Sequence, residues 1–411
     1  MGRNILFVAF HYPPESNGGV QRPYAFVKYL RKFGYNTVVV TTDSFGKMDH
    51  ETGVYRVHSF NGELKGKSIW RKIYIVTIKV LRKIIYNTGM LFIHNYRWTL
   101  NIKRELDKLI PNLKPDVVIA TYKPLNNLFV GHYIKRKYNI PLIIDFRDGF
   151  LFEGLEKYNF VQKKEAQKIE KLMVDNSDAI ITVSPPISEY FVKTYNKKNV
   201  FTIYNGFDVQ DIDSFIAMTK PEVYRGKFKL FYFGGISSSR KRDASPLFSA
   251  LKSLKEEGYI DESNFEFRIY GKLNKRELGL IKKLGLEDII IFNGYINRIE
   301  GLKIMKNEAD ALLFYGDPYS KSVVSTKLLE YIFLGKPILG ICKGNEAEEI
   351  ILRTNTGTVV DFSIENIISG MKNIMDYKTF EPCWKEINKF SRELQTLQLI
   401  NIIEKVASAN E

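Results

Sequence analysis

The chain has 411 residues, of which 45% are hydrophobic, so it is long enough for two domains that each bury a core. Lysine and arginine outnumber aspartate and glutamate by 61 to 46, and the net charge of +15 favours an anionic partner such as a membrane, a nucleic acid or a phosphorylated substrate. Two cysteines exclude a disulfide framework and fit a reducing cytoplasm.

The first half of the chain alternates short apolar runs with helical patterns, as parallel α/β sheets do. Its first apolar run ends at a His-Tyr-Pro-Pro sequence, which is typical of a buried strand rather than of a secretory leader. Helices are predicted over residues 20–33 and 157–176, and two more begin after Pro124 and Ser184. The predicted strands are residues 5–10, 37–41, 116–121, 141–145, 179–183 and 200–204.

A polar stretch separates this half from a second one with the same rhythm, in which helices are predicted over residues 244–256, 297–307 and 325–334. The strands predicted there are residues 229–233, 265–270, 289–292, 311–315 and 338–341. We therefore predict an α/β fold with two Rossmann-like domains that face a central cleft. The predicted boundaries are residues 1–210, a linker over 211–227, a second domain over 228–383, and a C-terminal helix over 384–411 that packs back on the first domain.

Residues 325–331 predict a helix opened by hydroxyl side chains, with Glu330 on its first turns. Such a helix start can hold a phosphate through its unpaired N–H groups, and the carboxylate could accept hydrogen bonds from ribose hydroxyls. The segment is equally consistent with an ordinary capped helix.

Glycine turns follow two predicted strands, at Gly18 and Gly19 in the first half and at Gly234 and Gly235 in the second. Glycine lets a backbone approach a phosphate or a sugar closely. The second turn is followed by three cations, Arg240, Lys241 and Arg242. They could bind phosphate oxygens or form a solvated basic loop.

Charge also gathers at Asp145, Arg147 and Asp148, where a strand of the first half ends. This cluster could contain a catalytic or acceptor-binding carboxylate, or a structural ion pair. His11 follows the first strand and is a weaker candidate. No dehydrogenase or P-loop glycine motif, metal-ligand spacing or serine hydrolase motif is present in the sequence, so no metal or cofactor is expected.

Residues 69–86 follow a helical pattern with one basic and one apolar side, which suits an anionic lipid surface or a core-packed helix with a solvated face. The residues predicted to face the membrane are Trp70, Arg71, Lys72, Lys79, Arg82 and Lys83.

These motifs, in their order and spacing, resemble the GT-B glycosyltransferases, and in particular the retaining enzymes of family 4. The resemblance runs over nearly the whole chain and is carried by residues 10–22, 145–148, 183–184, 205–208, 233–235, 292–294, 325–338 and 390–393. It implies that the second domain holds a nucleoside diphosphate sugar and that the first holds the acceptor.

The resemblance also implies roles for single residues. Glu330 would bind the ribose, Tyr295 would contact the base, and either Arg240 or Lys241 would neutralise the departing diphosphate. The donor site would further include Gly18, Gly19, Gly234, Gly235, Gly271, Ser322, Ser325 and Thr326, with Lys327 and Asp148 among the catalytic residues. His11, Asp145 and Arg147 would lie on the acceptor side.

One departure concerns the sugar, because many relatives carry a glutamate where this chain has Ser322, eight positions before Glu330. A donor that lacks a usual hydroxyl would fit this change. The relatives' histidine region reads Thr-Tyr-Lys-Pro over residues 121–124 and contains no histidine.

We therefore predict a metal-independent glycosyltransferase of the hexosyltransferase type, on the inner face of a bacterial cell membrane, that builds a lipid-linked surface polysaccharide such as O-antigen, capsule or exopolysaccharide. Its expected partners are the nucleotide-sugar, a glycan or lipid-linked acceptor and an anionic membrane surface. A nucleotide-sugar epimerase or hydrolase of the same fold is the closer alternative. A nucleic-acid-binding protein explains the charge but not Glu330 or the glycine turns.

Overall fold

A computed structural model describes residues 2–15, 18–48, 51–59, 96–153, 158–208, 226–236, 242–376 and 380–409 of the chain. The predicted linker from 211 onwards lies outside them except for its last two residues, 226 and 227. Two compact units divide the chain, the first comprising Met1–Tyr204 with Gln395–Glu411 and the second Asn205–Leu394.

The first unit contains a parallel seven-stranded sheet in the order β3-β2-β1-β4-β5-β6-β7. β1, β4 and β5 are buried over nearly their whole length, as expected of strands covered by helices on both faces. Its strands are β1 (Asn4–Val8), β2 (Asn36–Thr42), β3 (Val54–Val57), β4 (Val117–Tyr122), β5 (Leu142–Phe146), β6 (Ala179–Thr182) and β7 (Val200–Thr202). Its helices are α1 (Gln21–Lys32), α2 (Tyr96–Leu113), α3 (Leu125–Tyr138), α4 (Phe160–Asp175) and α5 (Pro185–Tyr195).

The second unit contains a parallel six-stranded sheet in the order β10-β9-β8-β11-β12-β13. Its strands are β8 (Phe228–Phe233), β9 (Phe265–Tyr270), β10 (Ile290–Gly294), β11 (Ala311–Tyr315), β12 (Ile338–Ile341) and β13 (Gly357–Val360). The helices that alternate with these strands are α6 (Ser245–Glu256), α7 (Lys275–Lys283), α8 (Arg298–Glu308), α9 (Thr326–Leu334), α10 (Glu346–Arg353) and α11 (Ile364–Met375).

The C-terminal tail forms two helices, α12 (Trp384–Asn388) and α13 (Arg392–Ser408), where the sequence predicts one helix. Leu399 and Ile403 of α13 are fully buried with Phe7 and Ile119 in a core on one face of the first sheet. The opposite face of that sheet packs against α2 and α3, where Trp98 and Leu128 are fully buried. Of the predicted tail, Gln395–Glu411 belongs to the first unit, whereas residues 384–394 belong to the second.

Candidate functional site

Each sheet is parallel, so the loops after its strands lie at one edge, where open α/β sheets bind their ligands. In the second unit this edge carries the turn after β8, the loop after β9 and the start of α9. The predicted donor residues that the structure describes in this unit come from this edge. Arg240 and Lys241 belong to residues 237–241, which lie outside the described residues.

Glycine is required at the ends of β8 and β9 because the two backbones almost touch there. The Gly234 N–H donates to the Tyr270 carbonyl at 2.6 Å, and Gly234 has a φ of +112°. Gly271 has a φ of +151°, and a Cβ added to it would lie 2.3 Å from the Gly234 carbonyl oxygen. A side chain at Gly271 would therefore force these two loops apart, whereas one at Gly234 would meet Lys327 Nζ at a φ that favours glycine.

Lys327, on the first turn of α9, reaches beneath this glycine turn. Its Nζ lies 4.3 Å from the ring centroid of Tyr232 and 2.9 Å from where a Cβ on Gly234 would stand. Burial lowers the pKa of Lys327 to about 7, and the nearby Arg242 guanidinium lowers it further, while Glu330 opposes the shift. Because the protonated form of Lys327 is poorly stabilised here, an anion beside Nζ would stabilise it.

Arg242 is a second cation at this edge, which the sequence shows only as the last of three. One guanidinium NH2 group donates to the Tyr315 carbonyl at 3.0 Å and the other to the Gly235 carbonyl at 3.4 Å. These contacts fix Arg242 between the β8 turn and the end of β11. Arg242 is therefore a further positive charge beside this turn, while the role predicted for Arg240 or Lys241 stays a prediction because both lie outside the described residues.

The start of α9 has the cap that the sequence predicts. Ser325 is the N-cap residue, and its Oγ accepts a hydrogen bond from the Leu328 N–H at 3.3 Å. The first N–H groups of a helix have no acceptor within the helix, so those of Thr326 and Lys327 can meet an anion. Ser322, at the position of the relatives' sugar-binding glutamate, is buried in the loop before this helix.

Glu330 is held by a residue that the sequence analysis missed. Arg298, at the first position of α8, donates from Nε to Glu330 Oε1 at 2.6 Å. Glu330 keeps 15% of its side chain exposed and Arg298 keeps 39%. Tyr295, the predicted base contact, follows β10 and is 83% exposed. No spacing rule links residues 298 and 330, so this pair could not be predicted from the sequence.

The loops at the carboxyl edge of the first sheet are tied together by two arginines. Two N–H groups of Arg22 donate to Asp145 Oδ1, Nε at 3.0 Å and one NH2 group at 2.8 Å, and both side chains are buried. Arg147 donates from Nε to the Tyr122 carbonyl at 3.0 Å and also donates to the Gly19 carbonyl. Asp145 therefore forms a structural ion pair, one of the two alternatives left open by the sequence.

The remaining acceptor-side candidates are more accessible. Asp148 is partly exposed. Burial lowers the pKa of Arg147, and the charge of Asp148 opposes this shift only in part. His11 is partly exposed, and its Nδ1 lies 2.8 Å from Glu15 Oε2. Gly18 is exposed, and a Cβ added to it would meet no atom within 4 Å. The six predicted membrane-facing residues lie within residues 60–95, outside the described residues.

Two further findings apply to the described part of the chain. None of its helices is both long and apolar enough to span a bilayer. It contains no group of three or more histidine, cysteine, aspartate or glutamate side chains placed to hold a metal ion.

Comparisons with known proteins agree with this architecture. Residues 16–211 match the model of Glycosyltransferase Family 4, and residues 219–389 match that of Glycosyl transferases group 1. The comparison with curated proteins found no match. Together the two models cover well over half of the chain.

Solved structures of similar fold include sucrose-phosphate synthase from Thermosynechococcus elongatus, with a TM-score of 0.65, 14% identity, and coverage of 98% of this chain and 99% of that one. The lipopolysaccharide outer core galactosyltransferase WaaB, in its apo form, has a TM-score of 0.64, 13% identity and the same coverages. UDP-GlcNAc 2-epimerase from Methanocaldococcus jannaschii has a TM-score of 0.54, 11% identity and again the same coverages. At these identities the structures are evidence for the GT-B fold alone.

Proposed function

The chain belongs to the family 4 glycosyltransferases of the GT-B fold and transfers sugar from a nucleotide-sugar, and from this premise we propose that transfer goes to a hydroxyl of a lipid-linked glycan with retention of the anomeric configuration. The pathway we propose is assembly of a bacterial surface polysaccharide at the inner face of the cell membrane.

The main support for the donor site is that Lys327, Arg242 and the start of α9 lie together at the glycine turn after β8. Sugar transfer from a nucleoside diphosphate develops negative charge on the departing diphosphate. Two cations and helix N–H groups held in place before the reaction stabilise that charge without reorganisation. They could supply this stabilisation without a metal ion, so we propose a metal-independent reaction.

The lipid-linked acceptor and the membrane surface rest on charge and on one similarity. The chain has a net charge of +15, and the sequence pattern of residues 69–86, which lie outside the described residues, predicts a helix with a basic side and an apolar side that includes a tryptophan. One protein of similar fold is a lipopolysaccharide outer core galactosyltransferase. Anionic lipid attracts such a surface, and a lipid-linked acceptor would be presented there.

The donor sugar follows from Ser322, which is shorter than the glutamate of many relatives and has no charge. A serine cannot reach as far toward a sugar hydroxyl, so we propose a donor in which that hydroxyl is missing or replaced. A panel of deoxy and acetamido nucleotide-sugars, assayed for sugar transfer, tests this proposal. Equal use of a fully hydroxylated hexose donor would contradict it.

The first experiment is a thermal-shift panel of UDP, GDP, ADP, CMP and dTDP on the wild type, on Glu330→Ala and on Glu365→Ala as a matched control. Glu365 is an exposed carboxylate in the first turn of α11. A ligand that binds only the folded state raises the melting temperature. One nucleotide should stabilise the wild type and the control but not Glu330→Ala. A folded wild type that responds to no nucleotide would overturn the donor site.

Activity separates the transferase from the epimerase alternative. With the identified nucleotide-sugar, a transferase consumes the donor in proportion to acceptor, whereas an epimerase inverts a sugar carbon without any acceptor. The anomeric proton coupling of the product reports retention or inversion. A C2 epimer formed in the absence of acceptor would overturn the proposal.

A further inference from the structure

A groove of about 550 Å³ runs between α2 and α3 of the first unit. The side chains that matter in it are Leu100, Lys103, Phe129, His132, Tyr133 and Arg136. Nothing in the transferase site uses these residues. The groove therefore has no role in the proposed reaction itself.

The groove carries more positive charge than its surroundings neutralise. In the described part of the chain, no carboxylate forms an ion pair with Lys103 or Arg136, and no acidic residue is among those that line the groove. The nearby Asp107 pairs with Lys137 at 2.7 Å and accepts from Tyr133 at 2.7 Å. Asp107 is thus engaged at the rim, and two cations are left to attract an anion.

His132 also lines the groove and is affected by the same two positive charges. Its Nδ1 is buried and has no hydrogen-bond partner in the described part of the chain. Burial lowers the pKa of His132, and the charges of Arg136 and Lys103 lower it further. A bound anion would accept a hydrogen bond from the imidazole and offset both cations.

Apolar surface lies beside these cations. Leu100 is 52% exposed one turn before Lys103, and Phe129 is partly exposed on the facing helix. Lys103 Nζ lies 4.9 Å from the ring centroid of Tyr133. Cations next to exposed leucine and aromatic rings fit a ligand that is anionic at one end and apolar at the other.

We propose that the groove between α2 and α3 binds the phosphate of an anionic phospholipid headgroup and holds the first unit on a membrane surface. This inference rests on the membrane association proposed above and locates a binding site for it in the described residues. Charge complementarity favours this occupant, and the exposed leucine favours a lipid over a free phosphate ion.

The test is co-sedimentation of the full chain with vesicles of phosphatidylglycerol and phosphatidylcholine at 30:70, and with phosphatidylcholine alone. The groove variant is Lys103→Gln with Arg136→Gln. The matched control is Lys163→Gln with Lys168→Gln, two exposed lysines of α4 in the same unit, so that both variants lose two charges. All proteins are also titrated with the nucleotide that binds the donor site.

Each basic residue near an anionic surface contributes roughly fivefold in binding, so the groove variant should bind the mixed vesicles roughly thirty-fold more weakly than the wild type. The control should change by less than about threefold, and neither variant should lose nucleotide binding. Equal losses in both variants, or no loss in the groove variant, would overturn the inference. A wild type that binds nucleotide but no vesicles would overturn it too, while leaving the transferase intact.

A second readout is the imidazole of His132, followed by NMR and assigned with His132→Gln. Short-chain phosphatidylglycerol, below its micelle concentration, should raise the pKa of His132 because it brings an opposite charge. The same rise with inorganic phosphate, without vesicle binding, would show a free-phosphate site and contradict a membrane site.

Discussion

Arg298 Nε donates to Glu330 Oε1 at 2.6 Å and thereby links the first position of α8 to the middle of α9. The arginine is 39% exposed, so the pair itself contributes little to stability. It fixes the direction of the carboxylate, so Oε2 would be the oxygen that meets a ribose hydroxyl if Glu330 binds the ribose as the family resemblance implies. Substitutions at this pair should therefore change nucleotide binding more than they change the stability of the protein.

Glu330→Gln should weaken nucleotide binding by about ten- to a hundredfold, because a hydrogen bond to a charged group contributes about 1.5–3 kcal/mol. Arg298→Gln should weaken it by less than about fivefold, since it removes only the orienting partner. Titration calorimetry measures both dissociation constants, and thermal melting checks that both variants fold. Equal losses in the two variants would show that Arg298 itself contacts the nucleotide.

Lys327 should make nucleotide binding dependent on pH. Its pKa is about 7 in the structure, and a diphosphate beside Nζ raises it because an opposite charge favours the protonated amine. Binding then takes up a proton above pH 7, so the dissociation constant should rise with pH, by up to about tenfold per unit between pH 7 and 9. Lys327→Met should bind more weakly at pH 7 and show little of this dependence.

The same residue should destabilise the protein when no nucleotide is bound. The folded state loses the Lys327 proton near pH 7, whereas an unfolded lysine keeps it to about pH 10.4. The unfolded state therefore binds more protons between these values, and the contribution of Lys327 to the free energy of unfolding rises with pH there. At pH 6, Lys327→Met should melt at a higher temperature than the wild type. A lower melting temperature would contradict the assigned pKa.

The sequence was sufficient to predict the parallel sheets and the capped start of α9. Both depend on local patterns, namely apolar runs that alternate with helices and a serine that opens a helix. It was not sufficient for the short edge strands β3 and β13, whose side chains are mostly half-buried and so lack a continuous apolar run. The break between α12 and α13 was also missed, because residues 389–391 contain neither glycine nor proline.

The candidate site shows the same limit. Glycine turns and Glu330 can be identified from sequence because each belongs to a strand-turn-helix pattern. The partners of these residues come from distant parts of the chain: Arg298 meets Glu330, and Arg22 meets Asp145 across 123 positions. Whether Asp145 serves the acceptor or an ion pair depended on that long-range contact.

Substitution by alanine should affect the stability of the protein at one glycine but not at another. A Cβ at Gly18 would meet nothing within 4 Å, whereas one at Gly271 would lie 2.3 Å from the Gly234 carbonyl oxygen at a φ of +151°. Gly271→Ala should therefore destabilise the second unit by about 1–3 kcal/mol. Gly18→Ala should leave the melting temperature unchanged.

Gly18→Ala should nevertheless reduce kcat/KM by about tenfold or more, if the donor diphosphate approaches this backbone as the family resemblance implies. Gly279→Ala is the control, because a Cβ there also meets nothing within 4 Å and the residue lies in α7, outside the site. Steady-state kinetics with the identified donor provide the measurement. Unchanged kinetics for Gly18→Ala would remove Gly18 from the donor site.

Substitutions of Asp145 and of Asp148 should have different effects, although only two residues lie between them. Asp145 is fully buried and pairs with the buried Arg22, so Asp145→Ala leaves an uncompensated charge and should cost about 3–5 kcal/mol. Urea unfolding measures this loss. The double variant Arg22→Met with Asp145→Leu should cost clearly less than the sum of the single changes, because it removes both charges together.

Asp148→Asn should lower the free energy of unfolding by less than about 1 kcal/mol, because the carboxylate is partly exposed and the buried charge of Arg147 is also balanced by Asp145. As a predicted catalytic residue it should instead lower kcat with a near-normal melting temperature. Asp175→Asn, at the end of α4 in the same unit, controls for the loss of one surface carboxylate. If Asp148→Asn kept full kcat, the catalytic role would be excluded and Asp148 would serve only to balance the buried charge of Arg147.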